Sequence, residues 1–349
     1  MRARHIEGST KLWLVGALAA SALAALGCGP EEAVTEDVNR VASALSASNA
    51  ADRATIALRW APVHRQDTDQ TGSQGLGGAA DYITNVDYDG DFIGNNNWDN
   101  AGRFPMSAHV YASVVETSTH WFIVYMFFHA RDWTDTTFDT AHENDSEGML
   151  MAITRDGTAT GSLQAAVTVA HTDFFSFVPA GSTFTAGAET IDGTLSVQSW
   201  NGANHPVTAQ QAKGHGCKAA PYYDIVGDGV IYFPTASTSE VPSSPTDSSV
   251  SYTLIDLFAS GGLWARRSDT ALYSSFGTFS GNTSGGCSSF PFICTSNAAN
   301  APWGWDDHDD GPARGTLATD PAALIHNYFT TPGAFSLTYT FNPYLGIGG

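Results

Sequence analysis

Side chains that could bind a cation are concentrated in one short stretch of the chain. His142, Asp145 and Glu147 stand within six residues, directly before the apolar run Gly148–Ile153. In an extended strand Asp145 and Glu147 share one face, because successive side chains point to opposite sides of the sheet. The two carboxylates therefore lead into a row of core residues, and carboxylates are seldom buried without a partner. This placement predicts a bound cation, a metal or a shifted pKa.

Two neighbouring segments are expected to bring further groups to the same place. The preceding predicted strand carries His129 near its end, and Asp132 follows it. The hairpin that comes after the two carboxylates places His171 beside them, provided that the hairpin has no bulge. Hard oxygen ligands with one or two imidazoles suit Mg²⁺ or Ca²⁺, with Mn²⁺ and Zn²⁺ as alternatives. The predicted metal ligands are Asp132, His142, Asp145 and Glu147. The candidates for a general acid or base beside the metal are His129, His171 and His215.

The same stretch resembles the central motif G-H-R-H-D-W-E of the necrosis- and ethylene-inducing-like proteins. It also resembles the motif H-E-G-D-W-E of vacuolar-sorting-associated proteins with a related sandwich. His142, Asp145 and Glu147 match the motif's His, Asp and Glu, and Asp132 takes the place of an upstream acidic residue. The resemblance implies a β-sandwich that holds a divalent cation at its rim through these four residues and binds a membrane glycosphingolipid. The positions that depart from the first motif are Ala141, Glu143, Asn144 and Ser146.

A second cluster of oxygen-bearing side chains precedes this region. Asp87, Asp89 and Asp91, with Gly90 between them, resemble the first half of an EF-hand calcium loop. At the twelfth position, where an EF-hand has a bidentate acid, the chain has Asn96. A true EF-hand is therefore not expected, and the pattern predicts a loop that Ca²⁺ stabilises through the three aspartates. The neighbouring segment 95–100 is interpreted as turn residues.

The segment Trp303–Asp310 combines two tryptophans with four acidic residues. One interpretation is a sugar site, in which the indole rings stack on the sugar and the acids hold its hydroxyl groups directly or through Ca²⁺. The other is a solvated acidic loop whose tryptophans are buried beneath it.

The elements that must position these residues are mainly strands. Period-two alternation, β-branched and aromatic residues, and Gly, Asn and Asp at the turns predict an all-β fold, a β-sandwich or jelly roll with long loops and few short helices. The predicted strands are 109–116, 119–130, 148–155, 163–171, 229–233, 249–258 and 334–341. A short helix is predicted at 321–328, with Asp320 as its N-cap and proline at its first position.

The first part of the chain resembles an export signal. Basic residues precede an apolar stretch at 12–26, which is short for a transmembrane helix. The stretch ends at Leu26-Gly27-Cys28, which resembles a bacterial lipobox, so lipidation at Cys28 is expected; a plain secretory signal cleaved near Gly27 is the alternative. The predicted organisation is a signal peptide at 1–27, a flexible tether at 28–55 and one β-sandwich domain at 56–349. An exported chain can form disulfides, and we expect one between Cys287 and Cys294, with Cys217 as a buried free thiol.

Composition restricts the partners. The chain of 349 residues has 15 Lys and Arg against 35 Asp and Glu, a formal net charge of −20. Nucleic acid is excluded as a partner, because its phosphates require a basic surface. Charged residues make up only 14% of the chain, which favours sheets with polar, uncharged faces. Sequence motifs for a nucleophile elbow, a P-loop and a dinucleotide site are absent.

Three functions are compatible with these patterns. The first is an exported lipoprotein, in the cell envelope or secreted, whose metal site recognises a glycan or a lipid head group. The second is a metal-dependent hydrolase of a polysaccharide, ester or phospholipid. The third is a non-catalytic surface protein stabilised by calcium. Convergence of several histidines on one cleft would favour the hydrolase, because binding sites rarely need extra titratable groups.

Overall fold

The structure is a computed structural model, and it describes residues 45–135, 140–220, 229–281, 293–294, 299–309 and 311–348. The predicted signal peptide, Cys28 and Cys287 lie outside the described residues, and the expected Cys287–Cys294 disulfide therefore does too. Cys217 is a buried free thiol, as predicted. Within the described ranges, no helix is both long and apolar enough to cross a lipid bilayer.

Strands dominate the described chain, and the predicted all-β, sandwich-like class with few short helices is confirmed. The strands are β1 (Val63–Gln66), β2 (His109–Thr117), β3 (His120–Asp132), β4 (Thr140–Thr154), β5 (Ser162–Ala170), β6 (Asp173–Pro179), β7 (Thr185–Ala186), β8 (Gly193–Leu195), β9 (Val197–Trp200), β10 (Ala203–Gln210), β11 (Cys217–Ala219), β12 (Val230–Pro234), β13 (Val250–Asp256), β14 (Tyr273–Ser275), β15 (Thr278–Phe279), β16 (Ile293–Cys294), β17 (Phe329–Thr330) and β18 (Tyr339–Phe341). The helices are α1 (Ala50–Trp60), α2 (Asn97–Asn100), α3 (Thr316–Thr319) and α4 (Pro321–Tyr328), with 3₁₀ turns at Leu76–Asp81, Pro302–Gly304 and Pro343–Leu345.

One large mixed sheet carries most of these strands. Its order is β11-β10-β1-β12-β13-β2-β3-β4-β5-β6-β8, with β9, β16 and β18 paired to β10, β4 and β2. The run β2 to β6 is antiparallel, whereas β1 pairs in parallel with β10, and β13 in parallel with both β12 and β2. The sheet is therefore assembled largely from segments that are distant in the sequence.

The two longest strands, β3 and β4, lie at the centre of the sheet. One face of β3 enters one apolar cluster through Trp121 and Tyr125, and the other face enters a second cluster through Phe122 and Met126. Both faces are covered, as the apolar character of both sets of alternating residues predicts. β3 and β4 run antiparallel in constant register, which places Asp132 opposite His142 and His129 opposite Asp145.

Helix α1 packs against the sheet and begins at Ala50, inside the segment 28–55 that was predicted as a flexible tether. Its N-cap Asn49 accepts hydrogen bonds from the amides of Ala51 and Asp52, and its alanine-rich sequence has high helix propensity. Trp60 is buried and donates its indole N–H to the carbonyl of Thr160 at 2.8 Å. The predicted domain start at residue 56 falls inside this helix. The segment is rich in small residues, so its pattern did not reveal the apolar face formed by Ile56, Ala57 and Trp60. Helix α4 forms at the predicted residues, and Asp320 caps it.

His120, at the start of β3, makes the folded protein sensitive to acid. The side chain is buried, and burial lowers its pKa to about 4. Its ring nitrogens bond to the hydroxyls of Thr119 at 2.9 Å and Thr154 at 3.0 Å. Because the folded-state pKa lies below the unfolded value of about 6.5, the unfolded chain binds more protons between these pH values, and stability falls as the pH falls through them.

We therefore expect His120→Gln to remove part of the acid lability. Between pH 7 and pH 4 the free energy of unfolding should fall by about 3 kcal/mol less in the variant than in the wild type. Urea unfolding at several pH values measures this difference. Parallel stability curves for the two proteins would contradict the expectation.

Candidate functional site

A cavity of about 260 Å³ opens at the end of β3 and β4. All four predicted metal ligands line it, together with His171, the predicted neighbour from the end of β5. The remaining lining residues are Ser146, Thr172, Ala299, Asn300, Trp305, Asp306 and His308. The expected convergence of acidic and imidazole groups at one rim pocket is therefore present in the structure.

A residue with a left-handed backbone, Asn144, brings His142 and Asp145 to the same cavity. Strict strand alternation would place His142 and Asp145 on opposite faces of β4, because they are three positions apart. Both line the cavity, and Asn144 between them has a φ of 62°. Asparagine is among the few non-glycine residues that adopt this conformation readily. Its side chain is fixed by donating to the carbonyls of Gly94 and Ser280, each at 2.8 Å.

His142 and Asp132 form an ion pair at the wall of the cavity. Nε2 of His142 lies 3.1 Å from Oδ2 of Asp132, and its Nδ1 lies 2.9 Å from the carbonyl oxygen of Asn144. Burial alone would lower the pKa of His142, but the charge of Asp132 and their hydrogen bond raise the pKa to about 9. A cation that uses both groups as ligands must therefore displace the proton that they hold between them.

The carboxylate of Asp145 is hydrogen-bonded to a buried histidine, His215. Its Oδ2 lies 2.9 Å from Nδ1 of His215, and its Oδ1 accepts the amide N–H of Ser146 at 2.7 Å. Nε2 of His215 lies 3.3 Å from Oδ1 of Asp81. Burial opposes the charged form of His215, while the hydrogen bonds to Asp145 and Asp81 raise its pKa to about 9.

Glu147 has an oxygen without a partner. Its Oε1 accepts the backbone N–H of His171 at 2.6 Å, whereas Oε2 is buried and makes no hydrogen bond. Burial raises the pKa of this carboxyl well above its usual range, and the neighbouring charge of Asp145 raises it further. An unsatisfied buried carboxylate oxygen is unfavourable unless something binds it.

His171 is rigidly placed at the mouth of the cavity. Its φ is 61°, a strained value for histidine, and its side chain is half exposed. The amide Nε2 of Gln211 lies 2.6 Å from Nε2 of the ring. A Cβ atom at Gly214 would come within 2.9 Å of Cε1 of His171, so a larger residue at that position would require the ring to shift.

Two of the three predicted acid–base histidines do not reach the cavity. His129 and His215 are fully buried and stack on each other, with ring centroids 3.7 Å apart and planes at 1°. Nε2 of His129 lies 3.1 Å from Oε1 of Gln210. Strand position alone did not show that the loop carrying His215 packs over His129 and separates it from the cavity. Of the three, only His171 can contact a bound molecule.

Two carboxylates of the predicted calcium loop are bonded within turns. Asp89 accepts from the amide of Asn100 at 2.6 Å, and Asp91 accepts from the amide of Asn96 at 3.0 Å and from the backbone of Ile93 at 2.8 Å. Burial raises the pKa of Asp87, the nearby charges of Asp89 and Asp91 raise it further, and Oδ1 of Asp87 is buried without a hydrogen bond. Calcium binding by this loop stays a prediction. Within the described ranges, one group of three acids has its oxygens within 4.8 Å of one another: Asp173, Asp307 and Asp309.

The tryptophans of the segment 303–310 are not a sugar platform. Trp303 and Trp305 are buried, and the indole N–H of Trp305 donates to the carbonyl of Ser146 at 2.9 Å. The same segment supplies Asp306 and His308 to the cavity, a contribution that the sequence did not predict for this site. The interpretation as an acidic loop over buried tryptophans is the one that agrees with the structure.

The donor set suits a hard divalent cation, although the four side chains must move closer together to share one ion. Three acids and one imidazole are the ligand types that Mg²⁺, Ca²⁺ and Mn²⁺ accept, and Oε2 of Glu147 is free to bind. The four predicted ligands do not form a compact group within 4.8 Å in the way that Asp173, Asp307 and Asp309 do. Cation binding would therefore require loss of the proton shared by His142 and Asp132, together with inward movement of the side chains.

The fold and the cavity define an all-β protein with an acidic and imidazole-rich site at one end of its central strands. No protein-family model and no curated protein matches the chain. Among solved structures, one described as "Toxin fold for microbial attack and plant defense" covers 82% of this chain and 93% of its own length, with 15% identity and a TM-score of 0.37.

Two further solved structures resemble this chain at a similar level of sequence identity. NLPPya in complex with glucosamine covers 79% of this chain and 89% of its own, with 14% identity and a TM-score of 0.34. Necrosis and Ethylene inducing Protein 2, from the causal agent of cocoa's Witches Broom disease, covers 56% and 72%, with 14% identity and a TM-score of 0.27. These proteins are of the class named by the sequence resemblance.

Proposed function

We propose that this chain is an exported protein whose cavity holds a divalent cation and, through it, captures the hydroxyl groups of a glycan or of a lipid head group. The observation that carries the proposal is the convergence of Asp132, His142, Asp145 and Glu147 on one cavity, with Oε2 of Glu147 buried and unpartnered. Bound there, the cation supplies open coordination positions for oxygen ligands.

The lining of the cavity supports a polar, hydroxyl-rich ligand. Apart from Ala299 and Trp305, the lining side chains are polar or charged. Asn300 and His308 offer hydrogen-bonding groups from a segment far in sequence from the proposed cation ligands, and His308 is well exposed, with 62% of its side chain accessible. A ligand with several hydroxyl groups can bond to the cation and to these side chains together.

Mg²⁺ and Ca²⁺ are the proposed cations, because the donors are mainly carboxylate oxygens; Mn²⁺ and Zn²⁺ also accept an imidazole. We expect the chelator-treated protein to bind one equivalent of at least one of these ions in calorimetric titrations. Asp145→Ala and Glu147→Ala should each abolish the binding, whereas Asp156→Ala, in an exposed turn, should retain it. Equal metal content in the wild type and both site variants would remove the cluster from consideration.

The ligand part of the proposal is tested with the same samples. Glucosamine and mannosamine are suitable probes, and saturation-transfer NMR should show contacts in the metal-loaded wild type that disappear on chelation. Contacts that persist after chelation, or that persist in Glu147→Ala, would contradict capture through a cation.

A metal-assisted hydrolase is the second candidate, and His171 is the observation that favours it. This imidazole lines the cavity beside Glu147, and Gln211 and Gly214 fix its ring. It is the one predicted acid–base histidine in a position to exchange a proton with a bound molecule. Turnover of a glycan, ester or phosphodiester that is lost in His171→Gln while cation binding is retained would select this function.

Export and lipidation complete the proposal. The proposed signal peptide is 1–27, and the proposed membrane anchor is a lipid on Cys28. Both rest on the basic start, the apolar stretch and the lipobox-like Leu26-Gly27-Cys28 sequence. An anchor of this kind would hold the cavity close to a membrane surface.

A further inference from the structure

Asp145 is the end of a buried chain of three ionisable groups. Nδ1 of His215 lies 2.9 Å from Oδ2 of Asp145, and Nε2 of the same ring lies 3.3 Å from Oδ1 of Asp81. His215 and Asp81 have no exposed side-chain surface, and Asp145 retains only 8%. Because both ring nitrogens have carboxylate partners, the orientation of the ring is defined from both sides.

Asp81 is itself firmly held. Its Oδ1 accepts the indole N–H of Trp133 at 2.8 Å and the backbone N–H of Lys213 at 2.9 Å. Its Oδ2 accepts the backbone N–H of Asp69 at 2.8 Å. Three donors from separate segments therefore fix this carboxylate in one place. The carboxylate in turn restricts the ring of His215, to which it is bonded.

The surroundings of His215 restrict the ring further. Its backbone has a φ of 51°, and its carbonyl oxygen accepts the side-chain amide of Gln210 at 2.5 Å. The ring stacks on His129 at a centroid distance of 3.7 Å. A left-handed backbone at a histidine costs free energy, and here the ring and the carbonyl oxygen are both fixed by neighbouring side chains. Strained residues of this kind are concentrated at functional sites.

We propose that Asp81 and His215 are positioning residues that fix Asp145 in the orientation needed to bind the cation. This inference rests on the proposed function, because it takes Asp145 as a ligand. His215 occupies one lone pair of Oδ2 and the amide of Ser146 one lone pair of Oδ1, so each oxygen of this cavity-lining carboxylate keeps a lone pair for a cation. A ligand that is already oriented loses less conformational freedom when the cation binds.

Two substitutions at His215 separate this role from simple packing. The amide nitrogen of asparagine lies close to the position of Nδ1, so His215→Asn keeps a donor for Asp145 and loses the contact with Asp81. The amide nitrogen of glutamine reaches toward the position of Nε2, so His215→Gln keeps the contact with Asp81 and loses the donor for Asp145. Asp81→Asn replaces the carboxylate that contacts Nε2 of His215 with a neutral amide. It does so without changing the residue whose backbone is left-handed, His215.

The test is calorimetric titration of the full chain with Mn²⁺ alone, with urea unfolding as the check on folding. We expect His215→Gln to weaken Mn²⁺ binding by about 10- to 100-fold, and His215→Asn to recover most of the loss. Asp81→Asn should weaken binding by about tenfold, and combining it with His215→Gln should add little, because the two residues act as one unit. His120→Gln, an equally buried histidine at the other end of β3, is the matched control and should bind within about twofold of the wild type.

The outcomes distinguish the two proposals. If the wild type binds Mn²⁺ and His215→Gln binds it equally well, the positioning role is overturned and the proposed function stands. Additive losses in the double variant, or equal losses in His215→Asn and His215→Gln, would also overturn it. If either His215 variant fails to fold, Asp81→Asn alone decides, and unchanged affinity there counts against the inference. If the wild type binds no divalent ion, both proposals fail.

Discussion

Replacing Glu147 with glutamine should weaken cation binding by at least about 100-fold and at the same time stabilise the fold at neutral pH. Residues that only orient a metal ligand contribute about 10- to 100-fold in affinity, so loss of a ligand itself should have no smaller effect. The amide of glutamine still accepts the backbone N–H that Glu147 now accepts from His171. The buried carboxyl, whose pKa is raised well above its usual range, is no longer present.

The sign of the stability change follows from the raised pKa. Between the unfolded value of about 4.3 and the folded value, the folded chain binds more protons, so wild-type stability falls as the pH rises. The Glu147→Gln variant lacks this loss of stability and should be more stable than the wild type at pH 8, with little difference at pH 4. Denaturant unfolding at the two pH values and Mn²⁺ titration measure both effects. A variant that binds Mn²⁺ normally, or that is less stable at pH 8, would show that Glu147 has a structural role instead.

Gly148→Ala should be the most destabilising single-methyl change near the site. A Cβ atom at Gly148 would lie 1.9 Å from the carbonyl oxygen of Tyr125 and 3.0 Å from the ring of Trp305. Both neighbours are buried, and the first is the backbone of the central strand β3, which cannot move without disturbing the register with β4. Overpacking typically costs about 1–3 kcal/mol, and a clash with backbone places this substitution at the upper end of that range.

Thermal and denaturant unfolding measure this loss, and Gly311→Ala is the matched control. A Cβ atom at Gly311 would meet no atom within 4 Å, so its substitution should leave stability unchanged within about 0.5 kcal/mol. Equal stabilities for Gly148→Ala and Gly311→Ala would mean that β3 and β4 yield to the added methyl group. In that case the cavity wall next to Glu147 would also be more adaptable than its packing indicates.

The central part of the fold was predictable because its signals are local. Two apolar faces on one long strand indicate burial on both sides, and β3 is covered on both sides by the two core clusters. The acidic and imidazole groups of β4 were found because they interrupt an apolar strand pattern within a few residues. The hairpin predicted that His171 would lie near Asp145 and Glu147, and it does line the same cavity, although the β4–β5 pair has a register shift between Ala152 and Ile153 that the turn did not reveal.

The remainder of the site depends on contacts that no local pattern encodes. Asp81 lies at the end of a 3₁₀ turn, and its partner His215 is more than 130 positions away in the chain. The left-handed backbone at Asn144 cancels the regular strand alternation that the residue pattern implies. His129 and His215 are separate acid–base candidates in the sequence, yet in the structure they stack on each other, and both are fully buried and absent from the cavity lining. Tertiary packing decides such cases.

The strand order also determines when the fold can be completed. Strand β1 fits between β10 and β12, and β18, close to the end of the chain, pairs with β2. The place of β1 in the sheet requires β12, which ends at Pro234, and the pairing of β2 with β18 requires Tyr339–Phe341. Contacts between such distant segments form slowly, so the antiparallel run β2 to β6, whose strands follow one another in the sequence, is expected to form first.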